Sequence, residues 1–203
     1  MPYDASFFAQ GINRRGTECE KWDDRSVMNA DGIPLWVADM DFPCASAIVR
    51  ALQRRADHPC YGYNTSTPQD DAALIGFWRR RHHLDIQPGE IKMIPCVVTG
   101  LKACVRTLTR EGDSVAVVTP VYGPFYESVR SNRRAVKAVS LIRREETGRY
   151  ELDLDSMEKA LKEGARMMML CSPHNPVSRL WKEEELTALC RLAEKIRCSH
   201  RVR

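Results

Sequence analysis

Two short runs in the second half of the chain constrain its fold more than any other feature. Residues 114–119 (SVAVVT) and 166–171 (RMMMLC) are largely apolar and lack the polar–apolar alternation of a half-exposed strand. Runs of this length are typical of strands that are buried on both faces of a sheet. Such strands need helices above and below them, so we expect a layered α/β fold.

From residue 91 onward, apolar strand patterns alternate with helical patterns. The sequence predicts strands at 92–98, 114–119, 135–141 and 166–171, helices at 100–109, 122–132, 154–163 and 182–195, and a loop or hairpin at 145–150. Asp153 or Asp155 is the expected N-cap of the helix at 154–163. Upstream, we predict a short strand within 33–43 and helices at 45–56 and 70–83. This order predicts βαβ units, and therefore a mostly parallel sheet with helices on both faces.

Composition and charge exclude several classes of protein. Apolar residues make up 43% and charged residues 29%, as in soluble globular proteins. The net charge of +4 is modest and the Arg runs are scattered, which argues against nucleic-acid binding. No apolar run is long enough to cross a membrane and the N-terminus lacks a secretory pattern, so we expect a cytoplasmic protein. Eight cysteines without C-x-x-C pairs or Cys/His clusters predict neither disulfides nor a metal site.

Parallel sheets bind ligands in the loops that follow the carboxyl ends of their strands. Three segments occupy such positions: 95–102, 119–125 and 171–179. In the last, CSPHNPVSR, two prolines flank Asn175 and restrict the backbone around it. An Asn-Pro pair is also a common turn opener. The whole string, however, resembles the SPHNPVGR segment of pyridoxal-phosphate (PLP) enzymes of the aspartate aminotransferase fold. The resemblance implies that Asn175 hydrogen-bonds the phenolic oxygen of PLP.

The other two loops resemble segments of the same enzymes. In TPVYGPF, residues 119–125, Tyr122 lies between two prolines, and its ring either caps the core or stacks on a planar ligand. The resemblance implies stacking on the PLP ring. In IPCVVTGLK, residues 94–102, a strand is expected to lead into a helix whose first amides bind an anion. The family segment cradles the PLP phosphate, which implies this role for Val98, Thr99 and Gly100, although Cys96 stands where the family often has Gly.

Two upstream segments narrow the family. Residues 36–43, WVADMDFP, resemble the signature of the MalY/PatB-type carbon–sulfur lyases, which are cystathionine β-lyases of the aminotransferase fold. In that family the segment borders the substrate pocket, which implies substrate contacts for Asp39 and Met40. The turn at 61–63, YGY, resembles one whose Tyr reaches the phosphate of a neighbouring subunit; Tyr63 is the aligned residue, with Tyr61 as the alternative. The string KWD at 21–23 also fits the family's N-terminal arm.

The resemblance implies a homodimeric PLP enzyme that cleaves cystathionine or a related cysteine S-conjugate to pyruvate, ammonia and a thiol. It also implies an incomplete PLP fold type I. Residues 1–45 are expected to form an N-terminal arm and part of a small lobe, and residues 46–203 an incomplete PLP-binding large domain. An aminotransferase of the same fold and a non-catalytic remnant remain alternatives.

The family's Schiff-base lysine, its acid for the pyridine nitrogen and its carboxylate-binding arginine have no match here. Residues 196–203, IRCSHRVR, resemble no family strand. We interpret them as the product of a frameshift or premature stop, with a native tail as the alternative. Lys92 and Lys102 do not match the family lysine. We therefore assign no catalytic residue and expect the chain alone to be inactive.

Overall fold

The computed structural model describes residues 4–24 and 32–200 of the chain. These form two compact units, the first ending at Asp71 and the second beginning at Ala72. The helices are α1 (Ala5–Phe8), α2 (Glu20–Asp23), α3 (Ser46–Ala56), α4 (Pro68–His82), α5 (Val97–Leu108), α6 (Pro124–Arg130), α7 (Leu154–Lys162) and α8 (Glu183–His200), with a 3₁₀ turn at Pro88–Glu90. The strands are β1 (Ser114–Thr119), β2 (Ala135–Ser140), β3 (Ile142–Arg143), β4 (Tyr150–Glu151) and β5 (Ala165–Met169).

The two helices predicted upstream are confirmed, but the strand predicted within 33–43 is not. Helix α3 matches the prediction within one residue, and α4 begins at Pro68, where a missing N–H is harmless in a first turn. Residues 33–43 form no strand. Their backbone carbonyls are bound by the arm instead: Lys21 Nζ donates to the Asp39 carbonyl at 2.8 Å and the Ile12 amide to the Asp41 carbonyl at 3.0 Å.

The second unit contains the predicted parallel sheet. Strand β1 lies between β2 and β5 and pairs with both in parallel, so that Val117 is opposite Ala138 and Met169. Strands β3 and β4 pair in an antiparallel hairpin around the segment 145–150, for which the sequence predicted either a loop or a hairpin. Within the described part of the chain, β2 and β5 are the edges of the three-stranded sheet.

Helices cover both faces of this sheet, as predicted. Val115 and Val117 pack on one side with Val105 of α5 and Val129 of α6. The alternate residues of β1, Ala116 and Val118, pack on the other side with residues of α7 and α8, among them Met157, Ala160, Leu161 and Leu189. Because successive side chains of a strand point to opposite faces, a wholly apolar strand joins two cores.

Several element boundaries differ from the predictions. Residues 92–96 form no strand, and α5 starts at Val97, three residues before its predicted start. Pro95 offers no N–H to a sheet ladder, and an uninterrupted apolar run does not by itself distinguish a strand from a buried helix. Helix α6 starts at Pro124 rather than at 122, which leaves Tyr122 in the preceding loop. Helix α8 continues to His200.

Asp153 is the N-cap of α7, where its carboxylate accepts the Ser156 amide at 2.9 Å. No helix in the described ranges is both long enough and apolar enough to span a membrane.

Candidate functional site

Two loops lie side by side where β1 and β5 end. The first site loop, residues 119–123, begins at the last residue of β1. The second site loop, residues 171–179, begins two residues after the end of β5. Since β1 and β5 are parallel neighbours, both loops emerge at the same edge of the sheet. This is the edge at which ligands bind in open α/β sheets.

Two hydrogen bonds join the loops. The Tyr122 amide donates to the Asn175 carbonyl at 3.0 Å. The His174 ring nitrogen Nε2 lies 2.9 Å from the Pro120 carbonyl oxygen. Because a carbonyl oxygen only accepts, Nε2 must carry the hydrogen of that bond. The structure thus places the predicted Tyr122 and Asn175 next to each other.

The second site loop is stabilised by hydrogen bonds and an ion pair from neighbouring residues. The His174 amide donates to the Arg179 carbonyl at 2.7 Å, which closes the loop into a narrow turn. The Trp181 indole donates to the Cys171 carbonyl at 2.8 Å, and the Arg179 guanidinium pairs with Glu185 at 2.5 Å. Trp181, Arg179 and His174 are all buried. The loop is therefore held by residues on both sides of Asn175.

The two predicted ligand-binding side chains are themselves accessible. Tyr122 is 49% exposed, and Asn175 is exposed without a hydrogen bond from its carboxamide to any described residue. A rigid backbone that presents unpaired polar and aromatic groups is what a binding site requires.

Helix α5 is the candidate for holding an anion. It precedes β1, and its C-terminal end is bound by Arg134, which directly precedes β2, so this end lies near the amino ends of the strands. In a βαβ arrangement the start of such a helix is expected near the carboxyl ends of the strands. The Thr99 hydroxyl lies 3.4 Å from the Cys96 sulfur. This contact, together with the amides of Thr99 and Val98, lowers the pKa of the Cys96 thiol. The helix start thus stabilises negative charge, as expected from its dipole.

Gly100 differs from the other two predicted residues of this turn. Its amide donates to the Cys96 carbonyl at 3.2 Å and so belongs to the helix's own hydrogen bonds. A Cβ at this position would lie 2.6 Å from Ile94 Cδ1, so the missing side chain allows Ile94 to pack closely. Val98 and Thr99 are the better candidates for amide donors.

The remaining predicted residues belong to the first unit. Asp39 pairs with Arg14 at 2.7 Å, and Met40 is 75% exposed. Tyr63 is fully exposed, whereas the Tyr61 hydroxyl donates to the Ala56 carbonyl at 3.0 Å. Tyr63 is therefore the more available of the two tyrosines for an outside ligand.

Sequence reasoning missed two residues that organise these segments. Asp41 accepts hydrogen bonds from Lys21 at 2.8 Å, the Trp22 indole at 2.9 Å and Arg14 at 3.1 Å. The Lys21 contact, followed by that of Trp22, lowers the pKa of Asp41 to about 2. The second is His174, which the sequence shows only as one residue of the 171–179 motif. Its role depends on burial, which residue type alone does not indicate for a histidine.

The parallel sheet and the two loops at its carboxyl edge define an α/β protein with a candidate ligand site. A family model described as "Aminotransferase class I and II" matches residues 30–199, and the chain belongs to this family. Cystathionine beta-lyase PatB of Bacillus subtilis (strain 168) is 38% identical over 185 residues, which are 90% of this chain and 47% of PatB.

Solved structures agree with this assignment. Cystalysin from Treponema denticola, which contains a pyridoxal 5'-phosphate cofactor, has a TM-score of 0.84 at 30% identity, covering 96% of this chain and 50% of cystalysin. The PLP-bound C-S lyase from Staphylococcus hominis has a TM-score of 0.82 at 28% identity, covering 96% and 49%. The chain spans about half the length of the curated relatives it matches.

Proposed function

We propose that this chain provides the cofactor-holding part of a PLP-dependent carbon–sulfur β-lyase. The reaction would convert cystathionine or another cysteine S-conjugate to pyruvate, ammonia and a thiol. The observation that carries the proposal is the pairing of Tyr122 and Asn175 through the 3.0 Å bond between their backbones, at the carboxyl edge of the sheet.

The residues at this edge fit the chemical groups of PLP. The unpaired Asn175 carboxamide suits the phenolic oxygen, and the half-exposed Tyr122 ring offers a face to the pyridine ring. Val98 and Thr99 supply amides for the phosphate, and Gly100 keeps the turn compact. When bound, PLP supplies the electron-accepting ring that makes Cα–H cleavage possible.

The family resemblance assigns further roles to residues of the first unit. We assign Asp39 and Met40 to the substrate side, with Arg14 holding the Asp39 carboxylate. Tyr63 would contact the phosphate in a neighbouring subunit of a homodimer. We also propose a cytoplasmic location and the division into an arm with part of a small lobe (1–45) and a large domain (46–203).

None of the assigned residues takes a proton from substrate Cα. They would bind the cofactor, orient its ring and neutralise the charge of its phosphate. These contacts position a cofactor without activating it. The isolated chain is therefore proposed to bind PLP and to release no pyruvate. The similarity to cystathionine beta-lyase PatB and to a C-S lyase structure favours a lyase over an aminotransferase for the complete protein.

Binding is tested by titrating the purified chain with PLP and following quenching of its tryptophan fluorescence. Asn175→Ala removes a charge-assisted hydrogen bond and should weaken PLP binding about tenfold. Tyr122→Ala should weaken it comparably, while Tyr122→Phe, which keeps the ring, should bind within about threefold of wild type. If wild type shows no saturable binding, the chain is a non-binding remnant and the proposal fails.

The reaction class is tested with a chimera that continues this chain after Lys195 with the second half of PatB. A lyase should release pyruvate from cystathionine at a rate that falls with Asn175→Ala. Transfer of the amino group to a 2-oxo acid without pyruvate release would instead identify an aminotransferase.

A further inference from the structure

We infer that His174 is a positioning residue that sets the separation of the first and second site loops. The inference rests on the proposed function, since it concerns how Tyr122 and Asn175 are held for PLP. Of the two hydrogen bonds that join the loops, the one from His174 to Pro120 is made by a side chain, and the other runs between backbone atoms.

His174 is firmly anchored in its own loop. It is 1% exposed, and its ring meets Trp181 edge-on, with 5.4 Å between ring centroids. Its backbone forms a bridge with Arg179, with the His174 amide 2.7 Å from the Arg179 carbonyl. The imidazole therefore extends from this anchored loop to the Pro120 carbonyl of the first site loop.

The position of this link in the chain explains its effect. His174 directly precedes Asn175, and Pro120 lies two residues before Tyr122. A shift of Pro120 relative to His174 therefore changes the distance between the two side chains proposed to bind one ligand. Displacements of about 1 Å are sufficient to weaken a preorganised site.

The hydrogen bond to Pro120 requires a hydrogen on Nε2, because its partner is a carbonyl oxygen. The other ring nitrogen, Nδ1, is buried and has no hydrogen-bond partner among the described residues. Burying an unpaired polar atom costs free energy, so an apolar side chain would fill this space more favourably. The histidine is therefore better explained by its bond to Pro120 than by packing alone.

Two amide variants separate positioning from packing. His174→Gln places an amide N–H near the position of Nε2 and retains the bond to Pro120. His174→Asn carries the same amide on a shorter side chain, reaching only the position of Nδ1. Urea unfolding measures the stability of each variant. A loss of stability common to both variants can then be separated from a local effect on the site loops.

The first measurement is amide hydrogen exchange of Tyr122 in the full chain, with Val117 in the middle of β1 as internal reference. His174→Asn should speed exchange at Tyr122 at least tenfold relative to Val117, and His174→Gln should restore it to within about threefold of wild type. Equal protection of Tyr122 in wild type and His174→Asn would overturn the inference, whether or not the chain binds PLP.

The second measurement is the PLP titration described above. His174→Asn should weaken PLP binding about tenfold, and His174→Gln should not. If wild type binds PLP but both variants bind equally well, His174 does not position the site and the inference fails alone. If wild type does not bind PLP, the proposed function fails, and Tyr122 exchange decides separately whether His174 holds the loops.

Discussion

At the scale of single residues, Asp41 organises the first unit. Its carboxylate accepts hydrogen bonds from Arg14, Lys21 and Trp22, all on the N-terminal arm. Lys21 is buried, although lysine is rarely so unless it is paired. This convergence connects the arm to the 39–41 segment and explains why that segment does not form a strand.

Acid should release this connection in a defined pH range. The pKa of Asp41 is lowered to about 2 from an ordinary 3.8, chiefly by Lys21. A lowered pKa means that the carboxylate stabilises the folded arm above about pH 4, and that this contribution is lost as the pH falls towards 2. The NMR signal of the Trp22 indole N–H should therefore shift with a midpoint well below pH 3.8.

Two variants serve as controls for this titration. Asp41→Asn should abolish the shift of the Trp22 signal, whereas Asp57→Asn, at an exposed position of the same unit, should leave it unchanged. A midpoint at the ordinary value of an aspartate in wild type would contradict the ion-paired arrangement.

At the scale of elements, the C-terminal end of α5 is fixed by Arg134. The Arg134 guanidinium donates to the Thr109 carbonyl at 2.6 Å and the Arg106 carbonyl at 3.3 Å. The last carbonyls of a helix lack partners within the helix, and a cation there also suits its dipole. Arg134 thus fixes the helix that presents Val98 and Thr99.

Removing this contact should destabilise the second unit. Arg134→Ala removes the donor from two carbonyls at the end of α5, and we expect a loss of about 1–3 kcal/mol in the free energy of unfolding. Arg133→Ala, which removes only an exposed pair with Glu111 at 3.5 Å, should cost less than about 1 kcal/mol. Equal effects of the two variants in urea unfolding would refute the role of Arg134.

Helix α7 contributes to the hydrophobic core through Met157, whose side chain is 2% exposed beneath the sheet. Met157→Ala should cost about 2–5 kcal/mol, because the lost contacts leave a cavity. Met93→Ala is the matched control: Met93 is 70% exposed, and its replacement should change stability by less than about 0.5 kcal/mol. Urea unfolding of both variants measures the difference, and a small effect at Met157 would contradict the described packing.

At the scale of the whole molecule, the apolar core lies almost entirely in the second unit. Among the described residues, Cys19 is the one buried hydrophobic residue of the first unit, and the others lie between Val105 and Ile196. These residues form two clusters on opposite faces of the β2–β1–β5 sheet.

A fragment of residues 84–203 should therefore fold by itself. It retains every strand and both clusters, and hydrophobic burial is the main driving force of folding. We expect a single cooperative transition in urea, followed by far-UV circular dichroism. A gradual, non-cooperative loss of signal would show that this core does not suffice.

The sequence alone determined those features that depend on neighbouring residues. The run 114–119 predicted the bounds of β1 because all of its central residues are apolar, which is compatible with burial on both faces. Asp153 was one of two predicted caps for α7, and a hairpin was one of two structures predicted for the segment 145–150. Tyr122 and Asn175 were identified by their motifs and by their positions after strands.

Only the tertiary structure decided which distant groups bond to one another. Asp41 and Lys21 are 20 residues apart in the chain, and His174 and Pro120 are 54 apart. Sequence periodicity records whether a residue is buried, but a hydrogen bond depends on where two backbones meet after folding. The absence of a strand at 33–43 and the link between the site loops both depend on contacts between residues that are distant in the chain. A local sequence pattern carries no information about such contacts.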